Sequence, residues 1–198
     1  VTSFDLSYDY RCPFAKNIHL HAITAIRAGA NFTVNFVPWT MSQGYKVPSA
    51  PDVWDDPARD AEHLSLAVST SIRDLQPELF LDAHEALFRA RHEHGIRLVT
   101  LEEIDAVVGP LGVNRDLVLD DLDSRRPHKV IGESFRQFER YEAFGVPTFV
   151  VDGDATFVRY MTVPDGDARQ SIKVIESIVN LIALDPALNE FKHTRVPR

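Results

Sequence analysis

The sequence predicts an α/β protein whose strands lie towards its two ends and whose middle is helical. Three observations carry this. Apolar and polar residues alternate over residues 4–8 and about 31–37, on either side of a helical stripe. Only helical periodicity occurs from about Asp56 to Arg126. An apolar run over residues 147–151 then meets a second strand across Asp152-Gly153, a dipeptide suited to a hairpin turn.

Phe4, Leu6 and Tyr8 share one face of the first strand. Cys12-Pro13 follows, and proline is favoured in the first turn of a helix. Ile18, Ala22, Ile23, Ala25 and Ile26 trace that helix to Gly29, and Phe32, Val34 and Phe36 mark the next strand. This β-α-β unit favours parallel strands joined by a right-handed crossover. Residues 41–55 read as loop, with Gly44, Pro48 and Pro51 close together. Asp56-Pro57 starts a helix expected to reach Leu75, and Pro77 starts one expected to stop at Gly95. Thr100 and Glu103 have capping-box spacing ahead of a short helix ending at Gly109; a fourth starts at Asn114 or Arg115 and ends before Pro127. A helix over 128–144 is closed by Gly145, strands follow over 147–151 and 156–161, and a last helix runs from about Asp167 to Leu184. No internal repeat or low-complexity stretch occurs.

With 198 residues, 44% hydrophobic and 25% charged, the chain has the make-up of an ordinary globular protein. A formal charge of −8 argues against a nucleic-acid-binding surface, which needs clustered Lys and Arg. No apolar run is long enough to span a membrane, and the first residues lack the order of a secretory signal, although a processed chain would look the same. The single cysteine excludes an intrachain disulfide, so the simplest compartment is the cytoplasm.

That cysteine is the centre of interest. Cys12 stands where a helix begins, against unpaired backbone N–H groups and the positive end of the macrodipole, a setting that favours thiolate. The alternative is a small buried hydrophobe, the commonest fate of an unbridged cysteine. The reactive reading requires a sulfur exposed at the helix tip.

The Cys-Pro pair after the first strand, Gly145-Val146-Pro147-Thr148 before the third and the helical block between them resemble the thioredoxin fold, and specifically the DsbA-like family of thiol–disulfide oxidoreductases. Kappa-class glutathione transferases and 2-hydroxychromene-2-carboxylate isomerases are similar. The resemblance covers essentially the whole chain. It implies a thioredoxin-like domain over 1–55 and 128–198, with β-α-β and β-β-α halves on a mixed central sheet, and an inserted helical subdomain over 56–127. It implies Cys12 as nucleophile, Pro13 as the rigid first helical position and Phe14 in the variable slot. Pro147 would be a cis-proline facing the cysteine, with the N–H and C=O of Val146 available to an extended substrate and Thr148 just beyond. Read alone, Pro147 is equally well an ordinary trans proline at a strand start.

One departure matters. Dithiol members carry a second cysteine where this chain has Ala15, so a mixed disulfide on Cys12 has no internal resolving thiol. The expected activity is therefore monothiol thiol–disulfide exchange with a low-molecular-weight thiol, glutathione or mycothiol, as cosubstrate. A thiol-dependent transferase or isomerase, acting on an electrophilic substrate, and a redox-silent binding protein are the alternatives. No tightly bound cofactor and no metal are expected, and the resemblance is compatible with a monomer or a homodimer.

Neighbouring residues have two readings each. Arg11 and Lys16 favour the thiolate if close in space, or are solvated charges. Trp39 and Met41 stack on an apolar substrate or pack internally. Arg159-Tyr160 supplies a cation and a hydroxyl or an edge-strand charge. His19 and His21 lie too far along the helix to serve as a direct base. His92-Glu93-His94 lacks the spacing of a zinc helix, and the acidic run 116–123 reads as an amphipathic helix rather than a calcium loop.

Overall fold

Strand β1 (Thr2–Tyr8), helix α1 (Pro13–Arg27) and strand β2 (Phe32–Pro38) realise the β-α-β unit. Strands β3 (Thr148–Val151) and β4 (Asp154–Phe157) and helix α7 (Ala168–Leu184) complete the second half. The computed structural model describes residues 2–190 and 192–195; the outermost residues of the expected domain, Val1 and 196–198, lie outside them, as does 191. The sheet is mixed, in the order β2-β1-β3-β4, with β3 antiparallel to both β1 and β4. Asp152 and Gly153 both take positive φ, 50° and 94°, as a type I′ turn between such strands requires.

The chain divides into two compact units. The first holds the described residues of Val1–Tyr8, Cys12–Val37 and Tyr141–Arg198, hence the sheet with α1 and α7. Its core is the face the alternation marks: Leu6, Phe149, Ile18 and Ile175 are fully buried, and Phe4 stacks on Phe149 at 5.5 Å. Helices α1 and α7 pack on each other, and Asp167 caps α7 through the N–H of Arg169.

The second unit, Asp9–Arg11 with Pro38–Arg140, is larger than the insertion expected over 56–127. It contains α2 (Leu64–Leu75), α3 (Pro77–His92), α4 (Leu101–Val108), α5 (Arg115–Asp123) and α6 (Arg126–Glu139). The boundary moves because α6 packs on α2 and α5, and because Trp39 and Trp54, from the preceding segment, pack on Phe135 of α6. Arg126 forks onto Asp121 at 2.7 and 2.6 Å and reaches Asp74 at 2.6 Å, tying α6 to α5 and α2. The capping box of Thr100 and Glu103 is formed.

Several elements differ from expectation, among them the second hairpin strand, expected over 156–161 and found as β4 over Asp154–Phe157, which leaves Arg159 and Tyr160 beyond it. Met41–Tyr45, expected as loop, is a 3-10 helix capped by Thr40. The helix expected over 56–75 is a 3-10 turn, Pro57–Glu62, followed by α2, because His63 at φ −134° interrupts the helical backbone. Helix α6 ends at Glu139 rather than Phe144, since Glu142 takes φ 56°, outside the α-helical region.

Candidate active site

Cys12 is the N-cap of α1, with extended backbone (φ −92°, ψ 117°) and proline in the helix's first turn. Its Sγ accepts the N–H of Ala15 at 3.5 Å, in place of the hydroxyl or carboxylate usual at that position. As a thiol it donates to the carbonyl of Val146 at 3.1 Å. Of these two bonds, the first stabilises the anion and the second holds the proton. The residue is 7% exposed, so the open sulfur that the reactive reading requires is absent in this conformation: Sγ lies against the Val146 carbonyl, and reaction needs that contact released.

The Val146–Pro147 peptide bond is cis. Several contacts fix this turn. Thr148 N–H donates to Ser7 Oγ at 2.9 Å, and Thr148 Oγ1 donates to the Gly145 carbonyl at 2.8 Å. The Pro147 carbonyl accepts Val158 N–H at 3.0 Å. The carbonyl of Val146, expected to be available to substrate, is instead engaged by Cys12.

Beyond Val158, Asn17 of α1 donates to the Tyr160 carbonyl at 2.9 Å, and the His21 ring meets Tyr160 edge-on at 5.0 Å. This anchoring brings the guanidinium of Arg159 over the Phe14 ring, 4.4 Å from its centroid. Cys12, Phe14, Val146, Pro147, Thr148 and Arg159 thus share one unit, with Arg159 exposed and Ala15 buried. The sequence offers Arg159 either as a cation for the site or as an edge-strand charge. Its approach to Phe14 depends on bonds made by Asn17 and Pro147, which no local pattern announces.

The remaining candidates have structural surroundings. Arg11 chelates Asp9 at 3.0 and 2.5 Å and donates to Ser42 Oγ at 2.8 Å, within the second unit. Its bond and charge interaction with Asp9 outweigh burial and raise its pKa. Trp39 is 4% exposed and stacks on Phe135 at 4.9 Å in that unit's core, and Met41 N–H donates to Asp9 Oδ2 at 2.9 Å. His19 is fully buried with Nε2 3.1 Å from the Ser7 carbonyl; burial lowers its pKa to about 3, so it is a neutral core residue. His21 Nδ1 lies 3.0 Å from Ser171 Oγ.

A cysteine capping a helix, facing a cis-proline turn on a β-α-β and β-β-α sheet, defines a thioredoxin-like protein. The chain belongs to the DSBA-like thioredoxin domain family, whose model matches residues 4–168. No curated protein sequence matches it. Among solved structures it is similar to MdbA, a thiol-disulfide oxidoreductase from Actinomyces oris, with TM-score 0.62 and 17% identity over 88% of this chain and 79% of that one. It is also similar to the cytosolic disulfide reductase DsbM from Pseudomonas aeruginosa, with TM-score 0.61 and 17% identity over 90% and 99% of the two chains. The same protein with GSH gives TM-score 0.60 and 15% identity over 90% and 100%. These identities establish a shared fold. Among the described residues, no helix is long and apolar enough to cross a membrane.

Proposed function

We propose that the protein is a monothiol thiol–disulfide oxidoreductase in which Cys12 exchanges with a low-molecular-weight thiol. The observation that carries this is the sulfur at the start of α1, bonded to Ala15 N–H, with alanine where a resolving cysteine would stand. Membership of the DSBA-like family and the likeness to DsbM, whose structure was solved with GSH, support it.

The cycle has two balanced exchanges. Cys12 gives its proton to solvent, which ends its bond to the Val146 carbonyl and leaves the thiolate against Ala15 N–H. The thiolate attacks the small-thiol sulfur of a mixed disulfide; a Cys12–sulfur bond forms, and the substrate sulfur leaves as thiolate and takes a proton. A second small thiol, as thiolate, then attacks the bound sulfur. Cys12 leaves as thiolate and the small-thiol disulfide departs. Stabilisation at the helix start makes Cys12 a good leaving group in this step. The Val146 carbonyl, released in the first step, becomes an acceptor for extended substrate backbone beside Pro147 and Thr148.

Phe14 and Arg159 form the flank of the site, an apolar face backed by a cation, suited to a carboxylate-bearing thiol such as glutathione. The cycle draws on a reducing thiol pool, which suits a cytoplasmic setting. The test is turnover of a glutathionylated and a mycothiolated peptide with the matching thiol. Ping-pong kinetics, lost in Cys12→Ser, are expected. Sequential kinetics, or activity surviving Cys12→Ser, would overturn the reading.

A further inference from the structure

In the helical unit, His63 and His128 are 1% and 3% exposed, and neither ring nitrogen of either residue has a hydrogen-bond partner. Buried imidazole nitrogens are normally satisfied, so four unsatisfied ones on two facing rings require an explanation. The rings meet edge-on at 5.3 Å between centroids. A fifth unsatisfied buried atom, Asp60 Oδ1, lies 3.4 Å from His128 Nε2 and 3.8 Å from His63 Nε2. Neither contact forms a hydrogen bond. Both distances are close to the spacing of about 3.4 Å between neighbouring ligands around an ion with bonds of about 2.0–2.1 Å.

We infer that Asp60, His63 and His128 form a binding site for one divalent transition-metal ion, with a donor set of two imidazoles and one carboxylate. One ligand atom from each residue lies within 4.8 Å of the other two. The site is built rather than incidental. Arg125, at φ 61°, holds Asp60 Oδ2 and donates to the Trp54 carbonyl at 2.8 Å, which turns Oδ1 towards the histidines. Metal ligands are commonly oriented by such outer partners.

Both imidazoles are available as neutral donors. Burial lowers both pKa values, with His63 brought to about 4 by burial and then by His128. Two nitrogens and one oxygen select zinc, iron, nickel or copper over magnesium or calcium. Three protein donors leave a further coordination position for water or a small anion. The Asp60 side chain, 31% exposed, gives an ion a route in. Arg125 places a positive charge beside the ion, so affinity below that of a four-ligand structural zinc site is expected.

The test uses the full chain carrying Cys12→Ser, to remove the thiol as a competing ligand, after treatment with a chelator. Zinc is titrated against a chromophoric chelator, and cobalt binding is followed by visible absorption. The inference predicts one zinc per chain. It also predicts affinity weakened by more than about 100-fold in Asp60→Asn and His128→Gln, beyond what loss of an outer-shell partner costs. His94→Gln should leave affinity unchanged. Where a ligand variant fails to fold, imidazole nitrogen NMR of the Cys12→Ser chain decides: zinc should shift His63 and His128. Failure to retain one zinc, equal affinity in the folded ligand variants, or zinc-induced shifts confined to other histidines would overturn the site and leave a hydrated histidine pair.

Discussion

Cys12 and Arg159 divide the work at the scale of single residues. In the proposed cycle the sulfur would carry the exchange, and the guanidinium over Phe14 would offer a charge to the bound thiol. Arg159→Ala is expected to raise KM for glutathione about twofold to fivefold, the range for an exposed ion pair worth up to ~1 kcal/mol. It should leave the rate with an uncharged small disulfide unchanged. Steady-state kinetics with both substrates separates the two effects; an equal fall in both would assign Arg159 to the structure of the turn. The helix start at Cys12-Pro13 was legible in the sequence from local chemistry, whereas the cis Val146–Pro147 bond was expected only from the family resemblance, because that proline read alone fits a trans strand start equally well. Arg159 was only half legible. Its charge is plain, but its place depends on Asn17 and on the Pro147 carbonyl. Trp39 was ambiguous because an indole suits a cleft and a core equally, and its stacking on Phe135 involves a residue of distant sequence position.

Helices and strands follow the sequence where signals are local, and depart from it where one backbone conformation intervenes. The caps at Thr100, Asn114 and Asp167 lie where their residue types announce them. The break at His63 and the early end of α6 have no such announcement, since helical periodicity continues through both. Helix α6 also holds a glycine with a packing role. A Cβ on Gly132 would lie 2.8 Å from the ring of Trp54, a buried residue. Glycine to alanine within an exposed helix stabilises by about 1 kcal/mol. Here overpacking of roughly 1–3 kcal/mol opposes that gain and is expected to prevail. Gly132→Ala should therefore lower the denaturant midpoint, and a raised midpoint would show that Trp54 can move.

Across the whole molecule, buried neutral histidines set the acid limit of stability. His19 titrates near 3 in the folded chain and near 6.5 as an ordinary imidazole. The unfolded chain therefore binds more protons between these values, and stability falls as pH drops through that window. His63, lowered to about 4, acts in the same direction. Glu62, held near 2 by its bond to Arg59, adds loss below its ordinary 4.5. Unfolding free energy measured from pH 7 to pH 4 should fall, and His19→Gln should reduce the slope near pH 5 by about one proton. An unchanged slope would mean that His19 is protonated in the native state. The β-α-β and β-β-α halves were readable from hydrophobic period alone. The division into units was not, because Asp9–Arg11 and α6 join the helical unit through long-range packing that periodicity does not encode.

Everything proposed for Cys12 requires that this sulfur, though 7% exposed, reacts in the native fold. Intact-mass spectrometry of the native chain after incubation with oxidised glutathione, and separately with oxidised mycothiol, measures this directly. One small-thiol adduct per chain is expected, located on Cys12 and removed by excess of the matching reduced thiol. A native chain that gains no adduct from either disulfide, while the denatured chain does, would contradict it.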